Sequence, residues 1–417
     1  GFVLTRTHIG SCDFSVEGDY SYLEDKNAEF GIGEDTAGFE DRRRYPGVRD
    51  RGYDLLPMIR EALSINPDIR IVASAWTAPP WMKDIGEYYI KGYADDDGVW
   101  HDGTGGRLLD IHYHSYARYI RDYIDSYAAN GVSIWAVTPV NEPNGNGGNW
   151  ESMHWRPAEQ AMFIGDHLGP ALDGTGVRIL AYDQNRGADL EEWADGIYAV
   201  EKAAGYLFGM AVHWYSSTVD ARTGSLDYTH AKAPGKRILH TEGCIDNLGL
   251  DAPNGIADPA GYKESGWWKD DSFWWNDNAT DWGYTAQWGD WLDPADHPAY
   301  TPVHRYASNI MESLNHHVSG WIDWNVVLDR IGGPNHVGNF CGAPVMIDIE
   351  AEEPDDEIYF TPVFYTLAQF SSNIRPGDRV VESSVSPDDG SLYALSTLSG
   401  DDVLSVFLLN TAKEPRS

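Results

Sequence analysis

Short apolar runs alternate with segments of helical periodicity along most of the chain, and this alternation constrains the fold more than any other feature. Seven such runs begin at residues 2, 69, 133, 177, 206, 237 and 319. Runs that are apolar throughout are typical of strands buried on both faces. Strands separated by helices form a parallel sheet, and a closed sheet of this kind most often has eight strands. The sequence therefore predicts an α/β fold of the (β/α)8 TIM-barrel type.

The predicted barrel is one strand short, and both ends of the sequence bear on its boundaries. Because the sequence opens with the apolar run Phe2–Ile9, we infer that the first barrel strand lies upstream, as would any export signal. From about residue 358, short Val, Leu and Tyr runs alternate with turn signals at 388–390 and 400–402, which predicts a truncated antiparallel β-sandwich module. The predicted domains are a catalytic barrel over residues 1–350 and a partial β-sandwich over residues 351–417.

The charge of the chain excludes several classes of partner. Its 417 residues include 65 acidic and 30 basic side chains, a net charge of −35. Nucleic acid and anionic membrane surfaces are excluded, since binding phosphates requires clustered Lys and Arg. No stretch approaches the roughly 18 apolar residues of a transmembrane segment. Three cysteines without paired Cys or His spacing indicate neither a disulfide framework nor a zinc site. We predict no metal and no cofactor, and favour a secreted or periplasmic location.

Two of the predicted strands end in a glutamate. Glu142 closes the run SIWAVTPVNEP, where Pro139 and Pro143 stiffen the turn, and Glu242 closes the run RILHTE. The carboxyl ends of barrel strands meet at one mouth, where active sites gather. Two carboxyl groups there indicate a glycosidase, and in retaining enzymes the pair lies about 5 to 5.5 Å apart. The alternative is that each glutamate is an ordinary solvated loop residue.

Seven motifs, in their order and intervals, resemble glycoside hydrolase family 30, which includes glucosylceramidases of sphingolipid metabolism and β-1,6-glucanases. They are SCDFS, SAWTAPPWMK, AVTPVNEP, VHWY, LHTEGC, GWIDWN and GGPNHVGNF. The resemblance covers about residues 2 to 410, and it implies a (β/α)8 barrel fused to a β-sandwich. It also implies a retaining mechanism with Glu142 as acid/base and Glu242 as nucleophile. Further positions implied in the sugar site or its support are Arg6, Asp13, Trp76, Asn141, His213, Tyr215, Trp324, Asn325 and Asn335.

The resemblance also implies what some of these side chains do. Asp13 belongs to the glucose pocket, Trp76 to its wall, and Asn141 donates a hydrogen bond to the sugar 2-hydroxyl. Tyr215 donates a hydrogen bond to the nucleophile. Arg6 lies near the nucleophile, and because a charged side chain in a barrel strand needs a partner, Asp13 or a catalytic carboxylate is expected to pair with it.

The predicted function is that of a retaining β-glycosidase which hydrolyses β-linked glucosides or glucans through a covalent glycosyl-enzyme. Two alternatives stay open, a β-xylosidase or β-fucosidase of the same family and an inactive carbohydrate-binding protein. An insertion at 246–299 contains seven tryptophans, which could stack on pyranose rings or only pack the loop. His112, His114, His316 and His317 are interpreted as packing or surface residues rather than metal ligands.

Overall fold

A computed structural model of the protein describes residues 2–16, 18–31, 55–217, 220–244, 301–329, 332–339, 341–348, 357–386 and 390–412. The tryptophan-rich insertion at 246–299 and most of the predicted turn at 388–390 lie outside the described residues. The chain divides into two compact units, each described by itself. The first unit comprises Val3–Val212 and Ala231–Arg237, and the second comprises Gly1–Phe2, His213–His230 and Ile238–Ser417.

The main sheet contains the seven strands that the sequence predicts. Its strands are β1 (Leu4–Ile9), β2 (Arg70–Ala75), β5 (Ile134–Thr138), β6 (Arg178–Asn185), β7 (Leu207–His213), β8 (Arg237–Glu242) and β9 (Val318–Trp321), and a separate short antiparallel pair is formed by β3 (Tyr93–Ala94) and β4 (Trp100–His101). The hydrogen-bonded order is β1-β2-β5-β6-β7-β8-β9. The pairs β1–β2, β2–β5, β5–β6 and β8–β9 are parallel.

Three strands of the sheet are exposed at their first residue and buried over the next five. Arg70, Arg178 and Arg237 each begin a strand and are exposed, whereas the next five residues of β2, β6 and β8 are buried. Two of these guanidinium groups lie over the Trp135 ring, with that of Arg178 at 5.0 Å from the ring centre. The charged residues thus mark the amino ends of the strands, and the polar site residues described below follow the opposite ends.

Eight helices accompany the strands within the described part of the chain. They are α1 (Leu55–Ile65), α2 (Tyr113–Ala129), α3 (Pro157–Phe163), α4 (Ala188–Tyr198), α5 (Glu201–Tyr206), α6 (Thr223–Lys232), α7 (Thr301–Asn315) and α8 (Pro362–Asn373). A π-helical turn, Ile164–Leu168, extends α3 into the short helical segment Gly169–Leu172. Short 3-10 turns occupy Pro80–Met82 and Asp110–His112. Tyrosines at helical spacing between residues 113 and 127 predict a helix with one face in the core, and the burial of these tyrosines in α2 confirms it.

The structure differs from the sequence-based expectations at three helices. The sequence predicts one helix over residues 189–204, whereas the structure has the two helices α4 and α5, because the backbone is extended at Val200. Helix α6 was not predicted. It buries only Ser225, Leu226 and Thr229, so its sequence shows little apolar periodicity. Helix α8 lies where only strands were expected. Pro362 stands in its first turn, a position that favours helix initiation.

Two small sheets follow the barrel strands. One contains β10 (Val327–Asp329), β11 (Val345–Asp348) and β12 (Glu357–Phe360), and the other contains β13 (Arg379–Val381), β14 (Leu392–Leu398) and β15 (Leu404–Asn410). The second sheet is antiparallel, as expected of a sandwich module. Its β14–β15 hairpin turns at the predicted position, where Asp402 has a φ of 63°.

No helix within the described residues combines the length and the apolar character required to cross a bilayer.

Candidate active site

Glu142 follows strand β5 in a turn whose backbone is held from both sides. The Asn141 N–H donates to the carbonyl of Ala75 over 2.6 Å, and the Glu142 N–H donates to the carbonyl of Asp183 over 3.0 Å. Glu142 has a φ of 51°, in the left-handed region that side chains other than glycine seldom adopt. Such a conformation persists where surrounding bonds impose it, and it is typical of functional sites. The carboxylate is therefore presented on a fixed backbone at the end of its strand.

Arg6, on strand β1, is the centre of a buried polar network in the first unit. Its Nη2 donates to Oδ2 of Asp183 and to Oδ1 of Asn141, both over 2.7 Å, and its Nε donates to Oγ of Ser74 over 3.0 Å. The Arg6 and Asp183 side chains are only 2% and 0% exposed. The hydroxyls of Ser74 and Thr138 lie 3.0 and 2.6 Å from the same Asp183 oxygen. Five polar side chains are thus joined in one network around the Arg6–Asp183 ion pair.

This network also fixes the orientation of the Asn141 amide. A guanidinium can only donate, so the amide atom that faces Arg6 must be the oxygen. The amide nitrogen of Asn141 is then directed elsewhere, as a donor to a substrate hydroxyl requires. The role implied for Asn141, a hydrogen bond to the sugar 2-hydroxyl, stays a prediction.

Trp76 and Asp13 complete the predicted positions of the first unit. Trp76 is 2% exposed, and the Arg6 guanidinium lies 4.8 Å from its ring centre in a cation–π contact. Its ring therefore supports Arg6 directly. Asp13 is buried in the turn after β1, where Ser15 Oγ accepts a hydrogen bond from the Cys12 N–H over 3.0 Å.

Glu242 ends strand β8 in the second unit and is nearly buried. Its Oε2 lies 3.9 Å from Nε2 of His213, which ends β7 and is fully buried. The Tyr215 ring packs edge-on against His213, and its hydroxyl lies 3.4 Å from Sγ of Cys244. The residue after Glu242 must be small, because a Cβ at Gly243 would lie 2.9 Å from Nε2 of His240.

Asp323 is an acidic residue of the second unit that sequence analysis did not single out. Burial raises the pKa of Asp323 well above its usual range. The Tyr306 hydroxyl, which donates to Oδ1 over 3.0 Å, opposes this shift, and the nearby Glu242 carboxylate adds to it. A neutral Asp323 places no second negative charge beside Glu242.

The GWIDWN and GGPNHVGNF motifs provide loop structure in the same unit. The Trp324 N–H donates to the carbonyl of Gly243 over 2.8 Å, which ties the GWIDWN segment to the turn after Glu242. Asn325 has a φ of 64°. Oδ1 of Asn335 accepts hydrogen bonds from three successive N–H groups over 2.9 to 3.0 Å, those of residues 337–339. Asn335 therefore organises its own turn.

The predicted site residues are divided between the two units, and the structure adds one acidic residue that was not predicted. Arg6, Trp76, Asn141 and Glu142 lie in the first unit, and His213, Tyr215, Glu242, Trp324 and Asn335 lie in the second. The meeting of the two glutamates stays a prediction. Sequence analysis expected Asp13 or a catalytic carboxylate to pair with Arg6, which stays a prediction, and the structure adds Asp183 as a partner. Asp183 ends the apolar run RILAYD, so it shared the strand-end signal by which Glu142 and Glu242 were selected.

Comparisons with known proteins agree with this architecture. A family profile described as the glycosyl hydrolase family 30 TIM-barrel domain matches residues 1–255 and 285–374. The lysosomal acid glucosylceramidase of Mus musculus is 29% identical over 417 residues, covering 99% of this chain and 68% of that protein. The endo-1,6-β-D-glucanase neg1 of Aspergillus fumigatus is 25% identical, covering 98% of this chain and 70% of its own length. The solved structure of the endo-β1,6-glucanase BT3312 superposes with a TM-score of 0.69 at 26% identity, covering 98% of this chain and 75% of that one.

A barrel sheet with acidic residues at its strand ends, matched to these relatives, defines a glycoside hydrolase. The chain belongs to glycosyl hydrolase family 30, and its activity is that of a β-glycosidase of this family type. The predicted fold class, a TIM barrel followed by an antiparallel β module, is thereby confirmed. The chain spans about two thirds of the length of the relatives it matches.

Proposed function

We propose that the protein is a retaining β-glycosidase that hydrolyses β-linked glucosides or glucans, with Glu142 as acid/base and Glu242 as nucleophile. The observation that carries the proposal is the position of the two residues. Glu242 ends β8 and Glu142 lies just beyond β5, at the carboxyl ends of strands in one barrel sheet, where the active sites of such barrels form.

The proposed mechanism has two displacements. Glu242 attacks the anomeric carbon while Glu142 protonates the departing glycosidic oxygen, which gives a glycosyl ester and a free leaving group. Glu142 then removes a proton from water, the water oxygen attacks the anomeric carbon, and Glu242 leaves as carboxylate. The sugar is released with the configuration of the substrate. The neutral Asp323 supports an ionised Glu242, and the oriented Asn141 amide supports binding of the 2-hydroxyl.

The substrate is proposed from the relatives. One is named a glucosylceramidase and two are named endo-1,6-β-glucanases, so the shared chemistry is a β-linked glucosyl unit. Selection of glucose over xylose, fucose or galactose depends on contacts to single hydroxyl groups. The xylosidase and fucosidase alternatives, and the inactive binding protein, are therefore distinguished by assay.

The decisive experiment combines a substrate panel with product stereochemistry. Nitrophenyl β-glucoside, β-xyloside, β-fucoside and β-galactoside are compared with polymeric β-1,6-glucan, and the first-formed anomer is followed by proton NMR. We expect hydrolysis of a β-glucosyl substrate with the β-anomer appearing first. Initial release of the α-anomer would overturn the retaining mechanism. Sugar binding without hydrolysis of any panel member would favour the inactive binding protein.

Replacement of Glu142 by alanine is expected to separate the two displacements. Hydrolysis of glucan should fall by about 10²- to 10⁴-fold because its poor leaving group needs a proton. An activated dinitrophenyl glucoside should still form the glycosyl ester. Added azide should then accelerate turnover and give a β-glycosyl azide. Glu201→Gln, a change at an exposed residue of α5, is the matched control and should keep full activity. Equal losses on glucan and dinitrophenyl glucoside would contradict an acid role for Glu142.

A further inference from the structure

Lys83 is a buried cation to which the proposed mechanism gives no role. It is 3% exposed and directly follows the 3-10 turn Pro80–Met82, at the start of the loop 83–109 that comes after strand β2. Its Nζ donates to two backbone carbonyls, that of Tyr88 over 2.6 Å and that of Ser152 over 3.0 Å. Tyr88 belongs to the same loop, whereas Ser152 belongs to the loop 142–156, which begins with Glu142. One amine thus joins the loops that follow two neighbouring sheet strands.

The two loops are in direct backbone contact around this amine. A Cβ at Gly105 would lie 2.2 Å from Oγ of Ser152, and one at Gly148 would lie 2.1 Å from the carbonyl of Ile90. Neither position can therefore carry a side chain without separating the loops. The His154 N–H adds a hydrogen bond across the contact to the carbonyl of residue 106, over 2.8 Å. The GTGG segment at 103–106 therefore packs closely against the neighbouring loop.

Backbone hydrogen bonds connect this loop contact to the residues beside Glu142. The Trp155 N–H donates to the carbonyl of Pro143 over 2.9 Å, which closes the loop 142–156 on itself. The Gly145 N–H donates to the carbonyl of Glu142 over 2.8 Å, and the His154 ring leaves no room for a Cβ at Gly145. A shift of the Ser152–Trp155 segment would therefore move Pro143 and Gly145, the backbone that directly follows Glu142.

The chemistry of the amine suits this position. A buried ammonium without a carboxylate bonded to it is costly, and an apolar side chain of equal length would fill the same space at no electrostatic penalty. A lysine amine has at least two N–H groups in either charge state, so both carbonyl bonds can be retained. The feature that a lysine adds over an apolar residue is the connection between the two loops.

We propose that Lys83 is a positioning residue, which holds the loop 142–156 against the loop 83–109 and so keeps Glu142 in register with the leaving-group oxygen. This inference rests on the proposed acid/base role of Glu142. Both displacements use Glu142, but only its protonation of the leaving group has an importance that varies with the leaving group, so that step is the one by which the role of Lys83 is tested.

The test is the dependence of kcat/KM on the leaving group in Lys83→Met. Since kcat/KM reports the first displacement, a misplaced acid should lower it by about 10- to 100-fold for glucan or alkyl glucosides and only slightly for a dinitrophenyl glucoside. Lys91→Met removes an exposed lysine of the same loop and should change neither value. A uniform loss across all leaving groups would reduce Lys83 to a structural residue and overturn the proposal.

A second variant distinguishes failure of the positioning role from failure of the variant to fold. Gly105→Ala disturbs the same loop contact without touching the amine, and it should show the same leaving-group dependence. It also carries the test if Lys83→Met does not fold, as judged by circular dichroism. If the wild-type protein hydrolyses none of the substrates, the proposed function itself fails. If the wild type is active while both variants show wild-type leaving-group dependence, only the positioning role fails.

The pH dependence of stability should also respond to Lys83. Burial lowers the pKa of Lys83 to about 7, against the opposing effect of nearby carboxylates. Below about pH 7 the folded and unfolded chains both bind this proton, and the penalty for the buried charge is complete. Above it only the unfolded chain binds the proton, so this contribution to stability rises with pH up to about 10.4. The Tm of wild type relative to Lys83→Met should therefore rise between pH 7 and pH 9. The charged or titratable groups around Lys83 are Asp19, Asp84, Glu87, Glu151 and His154.

Discussion

Replacement of Glu242 by alanine is expected to abolish hydrolysis of every glycoside, with a loss on the order of 10⁴-fold or more, as for removal of other enzymatic nucleophiles. Without the carboxylate no glycosyl ester forms, and Glu142 can only protonate a leaving group that nothing displaces. The shortened side chain leaves room for a small anion next to the anomeric carbon. Azide should therefore restore turnover of an activated glucoside, and the product should be an α-glycosyl azide, of configuration opposite to the substrate.

The stereochemistry of the rescued product makes this result specific. Rescue of Glu142→Ala gives a β-azide because azide there attacks the glycosyl ester, whereas rescue of Glu242→Ala involves one displacement and inverts. Glu382→Gln, at an exposed position after β13, is the control for general effects of losing a carboxylate. A Glu242→Ala protein that remains active without azide, or that gives the β-azide, would show that the nucleophile lies elsewhere.

Replacement of Arg6 by methionine is expected to destabilise the first unit by about 3 to 5 kcal/mol, because it leaves the Asp183 carboxylate buried without its cation. Asn141 and Ser74 would lose the same donor, so activity should fall as well. The midpoint of urea unfolding measures the first effect. Substitution of both partners, Arg6→Met with Asp183→Leu, removes the unpaired charge and should recover part of the lost stability.

A surface ion pair of the same unit gives the matched control. Arg118 and Asp122 lie on α2 at 2.8 Å with the arginine 71% exposed, so Arg118→Met should cost less than about 1 kcal/mol. If Arg6→Met were as mild as Arg118→Met, the buried network would contribute little to the fold. If the double variant were worse than Arg6→Met, the unpaired carboxylate would not be the source of the loss.

Sequence periodicity was sufficient to predict the elements whose buried residues recur at regular spacing. Strands β2, β5 and β8 are apolar runs of strand length, and helix α2 has a tyrosine stripe, so each was predicted close to its observed position. Helix α6 was not predicted because two of its three buried residues are Ser225 and Thr229, whose polar side chains do not indicate a buried face. The packing that stabilises α6 therefore leaves almost no trace in its apolar pattern.

The partners of the site residues were less accessible to sequence analysis. Arg6 clearly needed a carboxylate, yet its pairing with Asp183 depends on the order of strands in the sheet. The same applies to Asp323, which became notable only through its burial and its proximity to Glu242. Spacing along the chain identifies strand-end acids, while tertiary pairing decides which of them is charged.

The left-handed backbone conformation of Glu142 lowers the stability of the protein, whereas the glutamate side chain is needed for the proposed catalysis. A glutamate in this region costs on the order of 1 to 3 kcal/mol, and glycine would adopt the same angles without strain. Selection for thermal stability alone would therefore favour glycine at position 142. That change would remove the proposed proton donor. Substitutions intended to raise thermal stability should therefore be made at other positions, and Glu142 should be retained.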